Sequence, residues 1–332
     1  MRVILAIVSL VSSFSFAAIQ GKDMSGYLSL KNGHQLFVDY KAPQNDMPTL
    51  VFVNGLTFST RDYGVVAGIL TEQGYGVLLY DAYGMGRTLL KNPMPTDPIK
   101  VETQVAELDE VLKKMNIPEP FNLVGLSYGG GILTAYATTF PSKIKTLFMV
   151  SPYTEVIEES KQIVLKQIAQ TRQMFPSNPA TDEELANYFI RQFVYQNYPI
   201  FEPSVLENPF KLEGIVKLVQ GITPFRPIDL AGDLPAHSVH MMIGAKDEYV
   251  KPAVYEKFWN VVAPAAKCSY VSVEDSSHKV ITNWASFSAH WINYVLQSKD
   301  SCQGIEFSAD PLLMKMTSSS GKTFKLPEFK KN

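Results

Sequence analysis

The chain has 332 residues, 46% of them apolar, and a formal net charge of −2. That length holds one large core or a core with an inserted subdomain. The near-neutral balance excludes recognition of nucleic acid or an anionic membrane by bulk charge, so the expected partner is a small molecule, with no cofactor and no metal ion.

Residues 1–17 read as an export leader. Met1-Arg2 gives a short basic start, an apolar run follows, and Ser15-Phe16-Ala17 supplies a small-x-small cleavage site. The strongly apolar part is short for a bilayer span, and no cysteine follows the cleavage site for lipid attachment, so no stable membrane anchor is expected. The mature chain is then a periplasmic or extracellular protein.

Residues 26–41 alternate around Asn32-Gly33, which is the pattern of a β-hairpin. Residues 49–53 and 76–80 are continuous apolar runs, as expected of strands covered on both faces. A helix between them runs from a Ser59/Thr60 cap to Gln73 and ends at Gly74. Val101, Val105, Leu108, Leu112 and Met115 fall on one face of a further helix. Residues 121–131 read F-N-L-V-G-L-S-Y-G-G-G, an apolar strand running through a Gly-x-Ser-x-Gly turn into a helix. Residues 144–150 form the next buried strand.

From 154 to 229 the strand signal vanishes. An amphipathic stripe through Ile157, Val164, Leu165 and Ile168 comes first, then a Thr181/Glu184 capping box, then a helical stretch over 204–222 interrupted by Pro209 and Gly214. The block is rich in Met174, Phe175, Tyr195, Tyr198, Phe201 and Phe210, which are expected mainly to pack its own interior, with lining of a pocket as the alternative. Strand and helix alternate again over 230–300, with strands at 239–243 and 269–273 and helices starting at Pro252 and near Asn283. The fold class is therefore α/β, a mostly parallel, doubly wound sheet formed by 18–153 and 230–300, with an all-helical cap at 154–229. Weak periodicity over 301–332 suggests a partly ordered tail.

The only cysteines are Cys268 and Cys302. A last helix of about 15 residues runs back roughly 22 Å, about the length of the strand it follows. That return brings Cys302 near Cys268 at the strand's start, where an intrachain disulfide forms.

A serine hydroxyl needs an adjacent base. Of the five histidines, His34 lies in the hairpin turn at the amino-terminal edge of the fold, His237 precedes a strand, His240 lies within it, and His290 is inside the last helix. His278 alone follows a strand's carboxyl end, where sites gather in open α/β sheets. It is the expected base for Ser127. Asp247, after the preceding strand, is the expected acid that orients it. Glu248 and Glu155 are the other carboxylates considered, and Asp275 is too close along the chain to reach the far ring nitrogen. The backbone N–H groups of Leu56 and Tyr128 are the expected oxyanion donors.

The segments N-G-L-T, D-A-Y-G-M-G-R, G-L-S-Y-G-G, G-A-K-D-E-Y-V and S-S-H-K-V, in this order, resemble those of the α/β-hydrolase fold superfamily with a helical cap. The resemblance covers roughly 27–297. Asn54 stands where relatives carry a histidine before glycine, and Ser277 where glycine often precedes the catalytic histidine. A serine nucleophile sets the chain apart from the dehalogenase and epoxide-hydrolase branches, which use aspartate, and implies acyl transfer to water. An apolar cap with no anchoring carboxylate for a substrate amine favours a carboxylic ester with an apolar acyl group. A proline-releasing aminopeptidase is the alternative, and a catalytically inactive binding protein is the reading from another class.

Overall fold

The computed structural model describes residues 22–156, 158–197, 210–298 and 301–329. The leader expected at 1–17 lies outside them, as do Ile157, Tyr198 and Phe201.

One eleven-stranded sheet runs through the molecule in the order β1-β2-β4-β3-β5-β6-β7-β8-β9-β10-β11. The hairpin forms β1 (Met24–Ser29) and β2 (Gln35–Lys41), and β2 pairs antiparallel with β4 (Gly76–Asp81). From β4 the pairing is parallel through β3 (Thr49–Val53), β5 (Phe121–Leu126), β6 (Ile144–Val150), β7 (Val239–Gly244) and β8 (Lys267–Val273). The parallel strands are apolar on both faces because each face is covered by helices. Leu50 and Phe52 of β3 pack on one side with α1 (Gly64–Glu72) and α8 (Ala285–Gln297). Val51 and Val53 pack on the other with α2 (Val101–Lys114), α3 (Tyr128–Thr139) and α7 (Pro252–Val261). On the first side Trp291 is wholly buried, edge-on to Phe148 at 5.3 Å. Burial of one such side chain contributes about 1.5–3 kcal/mol or more.

Among the described residues the cap helices are α4 (Glu158–Met174), α5 (Asp182–Asn197) and α6 (Lys211–Ile222). Thr181 and Glu184 cap α5 reciprocally, as their spacing predicts. Gly214 does not interrupt its helix. A Cβ on Gly214 or Gly221 would collide with the carbonyl oxygen of Gly84 or Ile99, so the glycines let α6 lie directly on the loops after β4. The aromatic and methionine side chains of the cap do not all turn inward. Met174 and Phe175 are 66% and 60% exposed, Tyr188 and Phe193 are exposed too, and Phe210 stands in solvent at the start of α6.

Residues 301–329 are not a loose tail. They form β9 (Ile305–Asp310), β10 (Lys315–Ser318) and β11 (Thr323–Lys325). β9 adds parallel to β8, with Ser269 opposite Ile305 and Val273 opposite Ala309, and β10 and β11 fold back antiparallel. Cys268 and Cys302 are joined as a disulfide just before this register begins. Phe324 then packs against Tyr294 of α8 and Phe307 of β9. Short strands like these draw their stability from non-local pairing, which leaves little local periodicity to read.

Candidate active site

The order β4-β3-β5 reverses the direction in which strands are added, and the loops after β3 and β5 face each other across that switch point. Ser127 stands at the end of β5 with φ +49° and ψ −116°, a strained turn that lifts the side chain out of the strand. The turn is held by backbone bonds. The Ser127 N–H donates to Val150 O at 2.9 Å, while Ser127 O accepts the N–H groups of Gly130 and Tyr153, both at 2.8 Å. Glycine is required around it for space. A Cβ on Gly125 would stand 2.8 Å from Gly129, and one on Gly129 would overlap the Val53 carbonyl.

That close approach brings the loop after β3 onto the elbow. Leu56 lies in it, with the Phe58 N–H donating to Gly55 O at 3.0 Å. Tyr128 is the first residue of α3, where backbone N–H groups lack partners within the helix and the dipole favours negative charge. Thus Leu56 lies on the loop after β3 and Tyr128 at the start of α3, next to that loop.

Asp247 and His278 follow β7 and β8. His278 Nδ1 and Asp247 Oδ2 are 2.7 Å apart, and the Asp247 side chain is fully buried. Oδ1 accepts the N–H groups of Tyr249 at 2.9 Å and Val250 at 2.8 Å. Burial pushes this carboxyl up, but hydrogen bonds from His278, Tyr255 and Val250 outweigh it and hold the group below its ordinary value. An ionised Asp247 accepts the Nδ1–H, which leaves Nε2 as the basic nitrogen. Glu248 accepts the backbone N–H of His278 at 3.0 Å, and the Tyr249 ring stands edge-on to the imidazole at 5.3 Å.

The other carboxylates and histidines are engaged elsewhere. Glu155 pairs with Lys257 at 2.5 Å and Arg226 at 3.2 Å, and Asp275 pairs with Lys246 at 2.5 Å. His240 is buried in β7 against Ser269. His34 is not remote from the catalytic end. Because β2 runs antiparallel to β4, its turn lies beside the loop after β4, where His34 stacks on Tyr83 at 3.7 Å and meets Glu107 at 2.6 Å.

The work of two residues of this region is not legible in the local sequence. Asp81 opens the D-A-Y-G-M-G-R segment, yet what it holds is visible only in three dimensions. Its buried carboxylate accepts the N–H groups of Thr60 at 2.7 Å and Arg87 at 2.8 Å, and the side-chain amide of Asn54 at 3.3 Å. It thereby ties together the loops after β3 and β4. Burial pushes its carboxyl up to about 6 despite those bonds. Asn54 also donates to Tyr80 O at 3.0 Å, which anchors the loop that carries Leu56. Tyr255 is the second such residue; its buried hydroxyl donates to Asp247 Oδ2 at 2.5 Å.

A cavity of about 370 Å³ opens between these loops and α6, lined among others by Leu56, Phe58, Met85, Arg87 and Ile215. A second, of about 270 Å³, lies between α1 and the β2–β4 edge and is lined by none of Ser127, Asp247, His278, Leu56 and Tyr128. Among the described residues, no group of three or more His, Cys, Asp or Glu side chains is arranged to hold a metal ion.

The family model described as serine aminopeptidase, S33, matches residues 44–283. A proline iminopeptidase of Saccharolobus solfataricus is 29% identical over 120 residues, which is 35% of this chain and 37% of that protein. A human (lyso)-N-acylphosphatidylethanolamine lipase is 30% identical over 141 residues, 41% of this chain and 39% of that one. The matches span well under half the length of either relative. An α/β-hydrolase enzyme from a Medee basin deep-sea metagenome library superposes with a TM-score of 0.60 at 15% identity, covering 82% of this chain and 98% of that chain.

Proposed function

The chain belongs to the serine aminopeptidase S33 family of α/β hydrolases, and from that premise we propose that it is an exported serine hydrolase that cleaves a carboxylic ester. The observation that carries the reading is the Asp247–His278 bond at 2.7 Å on the loops after β7 and β8, at the same end of the sheet as the Ser127 elbow. His278 Nε2 takes the Ser127 proton as Oγ attacks the ester carbonyl. The Leu56 and Tyr128 N–H groups receive the oxyanion, and Asp247 stabilises the imidazolium. His278 then gives its proton to the leaving alkoxide, and a water activated by the same imidazole releases the acid.

The choice between ester and amino-terminal peptide turns on what could hold a substrate ammonium. Glu155 is already paired with Lys257 and Arg226, and Glu213 on α6 with Arg191 and the Tyr195 hydroxyl. Such pairs leave little negative charge for a further cation, which favours the ester. Glu248, beside His278, is the acid that supports the aminopeptidase reading. The disulfide and the leader-like residues 1–17 support export to an oxidising compartment. Among the described residues no helix is long and apolar enough to cross a membrane.

A panel of p-nitrophenyl esters and amino-acid p-nitroanilides tests the reading. Turnover of the esters that disappears in Ser127→Ala is expected. Turnover of the anilides alone, reduced by Glu248→Gln, would establish the peptidase instead.

A further inference from the structure

Asp247 Oδ2 carries two donors rather than one. His278 Nδ1 lies 2.7 Å from it, and the Tyr255 hydroxyl 2.5 Å, while the hydroxyl itself is 3.4 Å from the same ring nitrogen. Tyr255 projects from the first turn of α7 and is wholly buried. Burial, and then the Asp247 charge, push its phenol above its ordinary value, so it remains a donor. With Tyr249 and Val250 on Oδ1, the carboxylate meets donors on both oxygens.

We infer that Tyr255 is a positioning residue for the Asp247–His278 pair, fixing the carboxylate plane and moderating how strongly it attracts the imidazolium. The inference rests on the serine-hydrolase reading. Two consequences follow from one hydrogen bond. The carboxylate cannot rotate about Cβ–Cγ without breaking the phenol bond, so the Nδ1–H keeps its aim. The phenol also shares the charge of the oxygen that faces His278, so less of it acts on the imidazolium formed when Ser127 gives up its proton. The other groups that face the pair are Glu248 and Tyr249, from the loop after β7, while the Lys279 ammonium stands over the Phe58 ring. All three stay in place when Tyr255 is changed.

The test is the pH dependence of labelling by a fluorophosphonate probe, which needs no knowledge of the substrate. In Tyr255→Phe the labelling rate at its optimum should fall roughly tenfold. Its acidic limb should move up by about one pH unit, because the carboxylate now attracts the imidazolium undiluted. Replacing Tyr255 with 3,5-difluorotyrosine, which keeps the shape but donates more strongly, should move the limb down. The second variant decides the question if the first does not fold. A limb that stays put in both variants, or a rate that falls without any movement of the limb, overturns the inference and leaves Tyr255 a packing residue. Labelling that survives Ser127→Ala would instead sink the serine-hydrolase reading beneath it.

Discussion

Two buried carboxylates at the carboxyl end of the sheet start from the same chemistry and end with different work. Asp247, after β7, and Asp81, at the end of β4, each accept two backbone N–H groups. Asp247 also faces His278 and Tyr255 and sits below its ordinary value, whereas Asp81 accepts the Asn54 amide and is pushed up to about 6. Burial is common to both. The difference is an imidazole bonded directly to the Asp247 carboxylate, whereas the Arg87 charge acts on Asp81 without outweighing burial, and Asp81 ties loops together.

The largest way to break the comparison is Asp247→Asn. An amide in that place stabilises the wrong imidazole tautomer, so kcat should drop by roughly 10³–10⁴-fold while the fold survives. A loss below about tenfold in steady-state ester turnover would mean that Asp247 does not orient His278. Asp81→Asn should cost less, roughly 10–100-fold in kcat/KM. It loosens Thr60, Arg87 and Asn54 and so mis-aims the loop that carries Leu56, without touching Ser127, Asp247 or His278. Equal losses from the two variants would erase the distinction.

The smallest effect is on stability against pH. The raised Asp81 carboxyl binds a proton in the folded chain between about 6 and 3.8, where the unfolded chain does not, so its contribution to stability grows as pH falls through that window. Asp247 acts with the opposite sign. Its contribution is present above 3.8 and lost as pH falls through its lower folded value. His240, which burial holds down to about 3, also loses stability for the fold as pH falls below 6.5, because only the unfolded chain takes up that proton. Asp81 and His240 therefore oppose each other over the shared window, with Asp81 supplying up to roughly 3 kcal/mol. Denaturant melts of Asp81→Asn at pH 4 and pH 7 should show a steeper acid loss than the parent chain. An unchanged slope would show that the Asp81 carboxyl is not raised.

The same contrast marks what could be read in the sequence. Ser127 and Tyr128 were legible because a tight strand-to-helix turn restricts its neighbours to glycine, and that restriction is local. Asp247 and His278 were legible from their places after strand ends. The place of Leu56 in the loop after β3 was legible because Asn54-Gly55 closes a buried run. The clamp at Asp81 and the phenol of Tyr255 were not, since their partners lie on other elements and nothing in the local pattern records them. The strands over 305–325 escaped for a related reason. Their order comes from the free edge of β8 and the Cys268–Cys302 link, not from alternation within themselves. The cap aromatics misled because apolar character alone does not tell an inward face from an outward one, and Met174 and Phe175 point out.

The account stands on Ser127 as the nucleophile that this arrangement serves. Intact-mass analysis after fluorophosphonate treatment, followed by peptide mapping, tests it most directly. The prediction is a single adduct on the peptide that carries Ser127, absent when that residue is alanine. An adduct on any other side chain, or full labelling of Ser127→Ala, would contradict it.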